Sequence, residues 1–450
     1  MKIRNYLIAG VVAGLFFTGC DKNDDVIDAD KVKYEDPYEA EFSQKTIEEN
    51  KDNLETTGVN LVTELEDLED EQAVKVMVNM ASLPEPSTSE SVAVGMAPMK
   101  LLASLANRKV SPHDAFETLK STAEADPTIT DEWNDIVGKY TYNFVTDDWD
   151  KTELSDAVVF EFPGLETDET NTASLTIDNF AAKTIVDDYD IGTTELPTSI
   201  KASLKYDGTE IASYTYAGTF QNDGMPLTIK STLKIAAFSL SVDFSNTPYT
   251  AIGATGSFKH DDKIIIEKHV DFKGDWSQQN IEDNTVPMKE FGWVDYKGDT
   301  IYDEWDEVYV ENILQQANAY VQVLDVKVVG KVELKKLGTD FRAFMEKYDD
   351  YEDDEITEEI AEELVAIFND NATLIVVYAE TNQKIATAEA YAFKDDYNEW
   401  DANIRFEFAD GTKMDPETFV EEGFGDLIDE MNDFINELNA AYDLDMEPIE

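Results

Sequence analysis

Residues 200–206, Ile-Lys-Ala-Ser-Leu-Lys-Tyr, followed by Asp207-Gly208 and the return run Ile211 to Tyr216, decide the fold class. Ile200, Ala202, Leu204 and Tyr206 alternate with Lys201, Ser203 and Lys205, the period-2 pattern of a half-buried strand. Asp207-Gly208 is a strong hairpin signal, because both central residues of a type I′ turn need positive φ. Working outward, Leu227, Ile229, Leu233 and Ile235 alternate with Thr228, Lys230, Thr232 and Lys234. Phe238, Leu240, Val242 and Phe244 alternate with Ser239, Ser241 and Asp243, and Ile264, Ile266, Val270 and Phe272 close the run. The stretch from Ser199 to Asp271 therefore predicts an antiparallel meander with one apolar and one wet face.

The flanks read differently. From Phe42 to Leu83 apolar residues recur at helical spacing, with Gly58 as a break point. Pro84 to Ser89 is a loop, and Ser111-Pro112-His113-Asp114 opens a further helix over 115–123. Strands begin near Gly138: Tyr140, Tyr142 and Phe144 share a face, as do Val158, Phe160 and Phe162. In the last third, Trp305, Val308, Tyr309, Ile313, Ala317 and Tyr320 line one side of a predicted helix. Strands follow at Val326–Leu334, Leu374–Tyr378, Ile385–Phe393 and Ile404–Phe408, with helices near 341–348 and 356–368. Asp415-Pro416 opens a final helix whose stripe is Phe424, Leu427, Ile428, Met431, Phe434, Ile435 and Leu438. Glu210-Ile-Ala-Ser213 and Lys384-Ile-Ala-Thr387, each following a turn, suggest a duplicated hairpin unit.

The expected organisation is a signal segment at 1–19, an acidic tether at 20–36, a helical region at 37–136 and an antiparallel β region at 137–275. An aromatic and acidic linker at 276–305 and a C-terminal α+β region at 306–450 complete it. The predicted fold class is α+β: a central antiparallel β-meander sheet covered by amphipathic helices from the N- and C-terminal regions.

Lys2 and Arg4, the apolar run Leu7–Phe17 and Phe17-Thr18-Gly19-Cys20 form a positive, apolar and small-residue progression. Cys20 is the only cysteine. This end resembles the signal peptide and lipobox of bacterial lipoproteins, which implies that Cys20 carries the lipid anchor. Asp21-Lys22-Asn23-Asp24-Asp25 resembles the acidic export segment of Bacteroidota surface lipoproteins, with Lys22, Asp24 and Asp25 as the signal. The aspartate beside the cysteine also resembles an inner-membrane retention signal of other lineages. The favoured resemblance implies an outer-membrane, cell-surface address, and it covers this N-terminal end alone. With Cys20 acylated no disulfide forms, so stability rests on core burial.

The formal net charge is −62, from 35 basic and 97 acidic residues. Such a field disfavours nucleic acid and anionic headgroups as partners. With 42% hydrophobic and 11% aromatic residues the chain can still build a core. His113, His260 and His269 carry no visible catalytic role; His269 falls on a polar strand face with Glu267 and Asp271. No Gly-x-Ser-x-Gly elbow, dinucleotide fingerprint or Walker loop occurs, so no catalytic residue and no cofactor are assigned. The acidic clusters at 147–150, 187–190 and 349–355 lack the ligand spacing of a calcium loop and read as solvated turns, so no metal site is assigned.

The sharpest binding candidate is Trp276, Trp293, Tyr296, Tyr302 and Trp305, set among Asp275, Asp295, Asp299, Asp303 and Asp306. Sugar rings stack on such aromatics while carboxylates accept their hydroxyl hydrogen bonds. The structural alternative, favoured on how often aromatics are buried, is that these rings fill a seam between sheet and helices. The function expected is a non-catalytic, lipid-anchored surface lipoprotein binding a ligand or partner, with glycan or protein as the class. Alternatives are an apolar-ligand or lipid carrier with Met77, Met80, Met96 and Met99 in its lining, a structural subunit of an outer-membrane assembly, and a glycoside-active enzyme.

Overall fold

A computed structural model describes residues 36–69, 71–84, 128–187, 192–222, 224–294, 300–348, 357–394, 400–421 and 432. The helices expected at 115–123 and 424–438 lie outside them. Three helices open the described chain: α1 (Ile47–Glu69), α2 (Gln72–Ser82) and α3 (Ile129–Ile136). Thr128 starts α3 through a capping box with Asp131, each side chain accepting from the other's backbone N–H. Among the described residues no helix is long and apolar enough to cross a membrane.

The chain divides into two compact units, taken in turn. The first unit comprises Val62–Ser245 with Thr255–Ile265. Its strands are β1 (Gly138–Asn143), β2 (Asp148–Thr152), β3 (Val158–Phe162), β4 (Ala173–Asp187), β5 (Gly192–Tyr206), β6 (Thr209–Phe220), β7 (Pro226–Ile235) and β8 (Phe238–Thr247). They lie in the order β2-β1-β3-β4-β5-β6-β7-β8. Only the β1–β3 pair is parallel; the rest is the meander that the alternation predicts. Asp207 and Gly208 take φ of 48° and 80°, so Tyr206 pairs with Thr209 across the tight turn.

The core of this unit sits to one side of the meander. Tyr140, Val158, Phe160, Phe162, Leu175 and Leu204 pack with Ala73, Val76 and Met80 of α2 and Ile136 of α3. Tyr140 stacks on Phe160 at 5.0 Å and Trp149 meets it edge-on at 5.4 Å. The two polar tips are satisfied: Tyr140 Oη donates to Ile136 O and Trp149 Nε1 to Pro84 O, both at 2.8 Å. Burial is uneven along the same apolar face, from Phe160 and Phe238 at 2% exposed to Leu240 and Val242 at 43%. The meander is thus not sheathed in helices as expected. Among the described residues the helices of this unit are α2, α3 and the end of α1 from Val62, and α2 and α3 pack at the β1–β6 end.

The second unit comprises the residues up to Leu61, Asn246–Ala254 and Ile266–Asp429. Strands β9 (Ala251–His260) and β10 (Lys263–Gly274) contribute residues to both units. Segment 276–305, expected to be a linker, is built structure. Helix α4 (Gln278–Asp283), capped by Ser277, leads into a separate two-stranded ribbon, β11 (Thr285–Val294) and β12 (Thr300–Val308). The helix expected from Trp305 to Tyr320 is instead the end of β12, one turn α5 (Val310–Ile313) and strand β13 (Leu314–Val323). Ala317, Ala319, Val321 and Val323 alternate there, and pairing to β10 on one side and β14 (Val326–Val332) on the other overrides the chance helical spacing.

Helices α6 (Leu334–Lys347) and α7 (Glu358–Asn371) precede β15 (Ala372–Tyr378), β16 (Lys384–Lys394), β17 (Trp400–Phe408), β18 (Lys413–Met414) and α8 (Pro416–Glu421). Strands β10-β13-β14-β15-β16-β17-β18 pair antiparallel in that order. Phe344 of α6 packs with Ile360 and Leu364 of α7. Asn369 pins α7 to β16, donating to Ala390 O and accepting from Ala390 N, both at 2.8 Å. The sequence echo has a structural counterpart. Both return strands slip register by one residue at the isoleucine: Leu204 and Lys205 pair with Ala212 and Glu210, and Val376 and Val377 with Ala386 and Lys384. Ile211 and Ile385 are the extra residues of two like β-bulges.

Candidate functional sites

The aromatic segment is held at its base by backbone geometry. Gly274 ends β10, and a Cβ there would overlap Ile313 O, so only glycine lets α5 approach. Asp275 N donates to Ile313 O at 2.8 Å, Trp276 N to Tyr249 O at 3.0 Å and Tyr309 N to Asn284 O at 2.9 Å. Arg342 adds a clamp, its guanidinium 4.2 Å from the Tyr309 ring centre and its Nε donating to Glu311 Oε1 at 2.7 Å. That hydrogen bond holds the Glu311 carboxyl below the usual range.

Trp276 is half-buried at this base. Trp305 stands opposite Met288 in the ladder, Tyr302 opposite Phe291 and Trp293 opposite Ile301, beyond a bulge. So Trp293, Tyr302 and Trp305 belong to one ribbon, and Trp276 to the segment leading into it; the side chains of those three and all of Tyr296 lie outside the described residues. Cys20, Lys22, Asp24 and Asp25 lie outside them as well.

A second cluster lies on the polar face of β10, β13 and β14. Glu267, His269 and Asp271 alternate along β10, as the sequence places them. Tyr320 Oη donates to Glu267 Oε1 at 2.7 Å, and its ring stacks on His269 at 5.1 Å with Lys327 Nζ 4.1 Å from its centre. His269 Nε2 lies 3.6 Å from Asp271 Oδ2, while Asn318 Nδ2 donates to Asp271 Oδ1 at 3.1 Å. Burial and the Glu267 hydrogen bond push the Tyr320 hydroxyl well up. Each carboxylate here has a donor and each ring a stacking partner, so the arrangement fixes register across three strands. The period-2 reading could find Glu267, His269 and Asp271; their partners come from strands some fifty residues away, which no local pattern announces.

A third feature is the strap formed by residues 36–53. Phe42 makes a parallel bridge to Lys384, with Ser43 N donating to Lys384 O at 2.8 Å and Lys384 N to Glu41 O at 2.9 Å. Lys384 Nζ donates to Tyr38 O at 2.8 Å. Tyr378 Oη donates to Asn50 Oδ1 at 2.6 Å and accepts from Asn53 Nδ2 at 3.3 Å, with Lys45 Nζ 4.6 Å from its ring centre. Glu41–Ile47, Asn50 and Phe408–Asp410 line an open cleft of about 460 Å³. Its lining mixes charged, amide and apolar groups without a converging set of catalytic side chains.

Burial pushes the Tyr378 hydroxyl up from 10.0 to about 12. The folded value lies above the unfolded one, so its contribution to stability is complete below pH 10.0 and is lost as pH rises through about 12. Burial also raises Tyr38, Tyr216, Tyr320 and Tyr391, so the late-titrating part of the tyrosinate absorbance is expected to shrink by one group in Tyr378→Phe. An undiminished late phase in the variant would show that the strap does not bury this ring.

No protein-family model matches the chain, and no curated protein or solved structure matches it.

Proposed function

We propose that this chain is a non-catalytic, lipid-anchored lipoprotein of the outer-membrane surface that captures a glycan at the ribbon β11–β12. The observation that carries the reading is the ribbon itself, a two-stranded sheet separate from the strands of the meander and clamped at its base. An isolated two-stranded ribbon is marginal in water. A segment needed only to fill a seam has no use for paired strands from Thr285 to Val308 and a capped helix before them. Paired strands do serve to hold Trp293 and Trp305 on one face with Glu290 and Asp303, and Tyr302 with Glu304 on the other. That combination of stacking faces and hydroxyl acceptors is what a sugar ring needs. Cys20, Lys22, Asp24 and Asp25 supply the address, and the tether from 20 to 36 sets the body off the bilayer.

The test has two arms. Full-length chain and Cys20→Ala are compared by cell fractionation; the variant is expected in the aqueous fraction, and a membrane-bound variant sinks the anchor. Neutral oligosaccharides are then titrated against the full-length chain in mild detergent, following tryptophan fluorescence. Trp293→Ala and Trp305→Ala are each expected to weaken binding on the order of tenfold, or about 1.4 kcal/mol. Unchanged affinity in both variants would return these rings to a packing role.

A further inference from the structure

The tip of the first unit's outermost hairpin breaks the rule that turns are polar. We infer that this tip is a docking finger: Phe144 and Val145 seat in an apolar pocket of a partner protein whose rim carries lysine or arginine. Strands β1 and β2 form the hairpin, with Asn143 opposite Asp148 as the last pair and Phe144 to Asp147 as the loop. The other tight turns of this unit carry Asp207-Gly208, Ala236-Ala237 and Asp261-Asp262. Val145 is 93% exposed and Phe144 47%, whereas the next large apolar residue after Val145 among those described, Val78, is at 50%. Single exposed apolar groups are ordinary. An adjacent pair at a turn is not, since turn chemistry favours Gly, Pro, Asn, Asp and Ser.

Hydrogen bonds hold the loop from inside. Asp147, at φ 53°, donates its N–H to Asn143 O at 3.0 Å, and Val145 N donates to Asn143 Oδ1 at 3.0 Å. Tyr142 Oη donates to Asp147 Oδ1, Asn143 Nδ2 to Asp150 Oδ2 at 2.9 Å, and Asn171 Nδ2 to Tyr142 O at 3.0 Å. Rings tie the tip to the core. Phe144 meets Tyr142 edge-on at 5.1 Å, Tyr142 meets Trp149 at 5.7 Å, and Trp149 meets buried Phe160 at 5.4 Å. An apolar pair held this way keeps its shape without a ligand, so docking orders little that is not already ordered. A fixed apolar anchor filling a pocket is how an interface concentrates its affinity.

Charge selects the occupant. Asp147, Asp148 and Asp150 follow the pair, and Glu166, Asp168 and Glu169 lie on the loop that Asn171 ties to β1. Residues 140–150 and 161–178 contain no lysine or arginine. The donors that reach Asp147, Asp150 and Asp168 from Tyr142, Asn143 and Thr172 are neutral, so the charge stays in place. The bases of the hairpin stand at its other end, where Lys139 pairs with Glu161 at 2.7 Å and Lys151 Nζ donates to Asp135 O at 3.0 Å. Lys205 on β5 is three strands across from β1, roughly 14 Å. A bilayer is the poorer occupant, because seating Val145 in it would carry Asp147 and Asp148 to the interface and against anionic headgroups. A second copy would bring the same acids and another net −62. A basic rim meets the acids while the pocket takes the two side chains.

The full-length chain carrying Val145→benzoylphenylalanine is to be irradiated in the cells that make it, with Val78→benzoylphenylalanine as the control, and adducts identified by peptide mass mapping. Position 145 is expected to give one adduct that position 78 does not, to a protein whose cross-linked peptide lines an apolar pocket with lysine or arginine at its rim. That protein, purified, is then titrated against the full-length chain in mild detergent. Combined Phe144→Ser and Val145→Ser should weaken binding on the order of a hundredfold with an unchanged far-ultraviolet circular dichroism spectrum. Combined Asp148→Asn and Glu169→Gln should make the affinity less sensitive to salt. No adduct at 145, equal adducts at 145 and 78, or unchanged affinity in the serine variant overturns the inference. An adduct to lipid, to a second copy or within the chain overturns the choice of occupant, as does a salt dependence that the acid variant leaves unchanged.

Discussion

Phe160→Ala is expected to destabilise the first unit by about 3–5 kcal/mol, the cost of removing a large buried ring and leaving part of its volume empty. Phe160 is 2% exposed and touches two further rings, stacked on Tyr140 and edge-on to Trp149. Neither neighbour can move in to fill the gap. The hydroxyl of Tyr140 is held by Ile136 O and the indole N–H of Trp149 by Pro84 O, so collapse would sacrifice a buried hydrogen bond. The matching surface change is Phe144→Ala, on a ring 47% exposed, expected to shift stability by under about 1 kcal/mol. Urea unfolding followed by near-UV circular dichroism separates the two. Similar midpoints for both variants would mean that the core of this unit lies elsewhere.

Gly274→Ala is expected to destabilise the second unit by about 3 kcal/mol, at the upper end for an overpacked site. The added Cβ would overlap the carbonyl oxygen of Ile313, a backbone atom that also accepts from Asp275 N and so cannot swing aside. The strain falls at the base of the ribbon, beside Trp276, whose N–H bonds Tyr249 O. Fluorescence should therefore report an altered indole environment along with the lower midpoint. Gly330→Ala is the contrast. There a Cβ would meet Leu374 Cδ1 at 3.6 Å, an ordinary contact, and alanine relieves the entropic cost of glycine in a strand. If the two variants unfold at the same urea concentration, the close approach at Gly274 does not constrain the fold.

Local pattern alone determined the meander. The alternation from Ile200 to Phe244 has period 2, and Asp207-Gly208 admits the positive φ that the hairpin requires, so neighbours in sequence pair in space. Helices α6 and α7 were legible in the same way, as were Glu267, His269 and Asp271 on one strand face. The reading failed where short-range spacing was ambiguous and distant partners chose. Trp305 to Tyr320 has apolar residues at helical intervals, but pairing on both sides draws Leu314–Val323 into the sheet. Segment 276–305 looked irregular because its bulge and its charged positions mask the alternation that pairs β11 with β12. The location of the core was likewise a tertiary decision. The same apolar alternation runs from Phe160 to Val242, yet α2 and α3 pack over Phe160, rings from β9 cover Phe238, and Leu240 and Val242 stay 43% exposed. The lysines at 201, 205, 230 and 234 were written on the wet face by alternation. Which residues stand opposite them, Asp178, Glu210 and Asp243 among them, depended on register, which hydrogen bonds between strands set and no single strand contains.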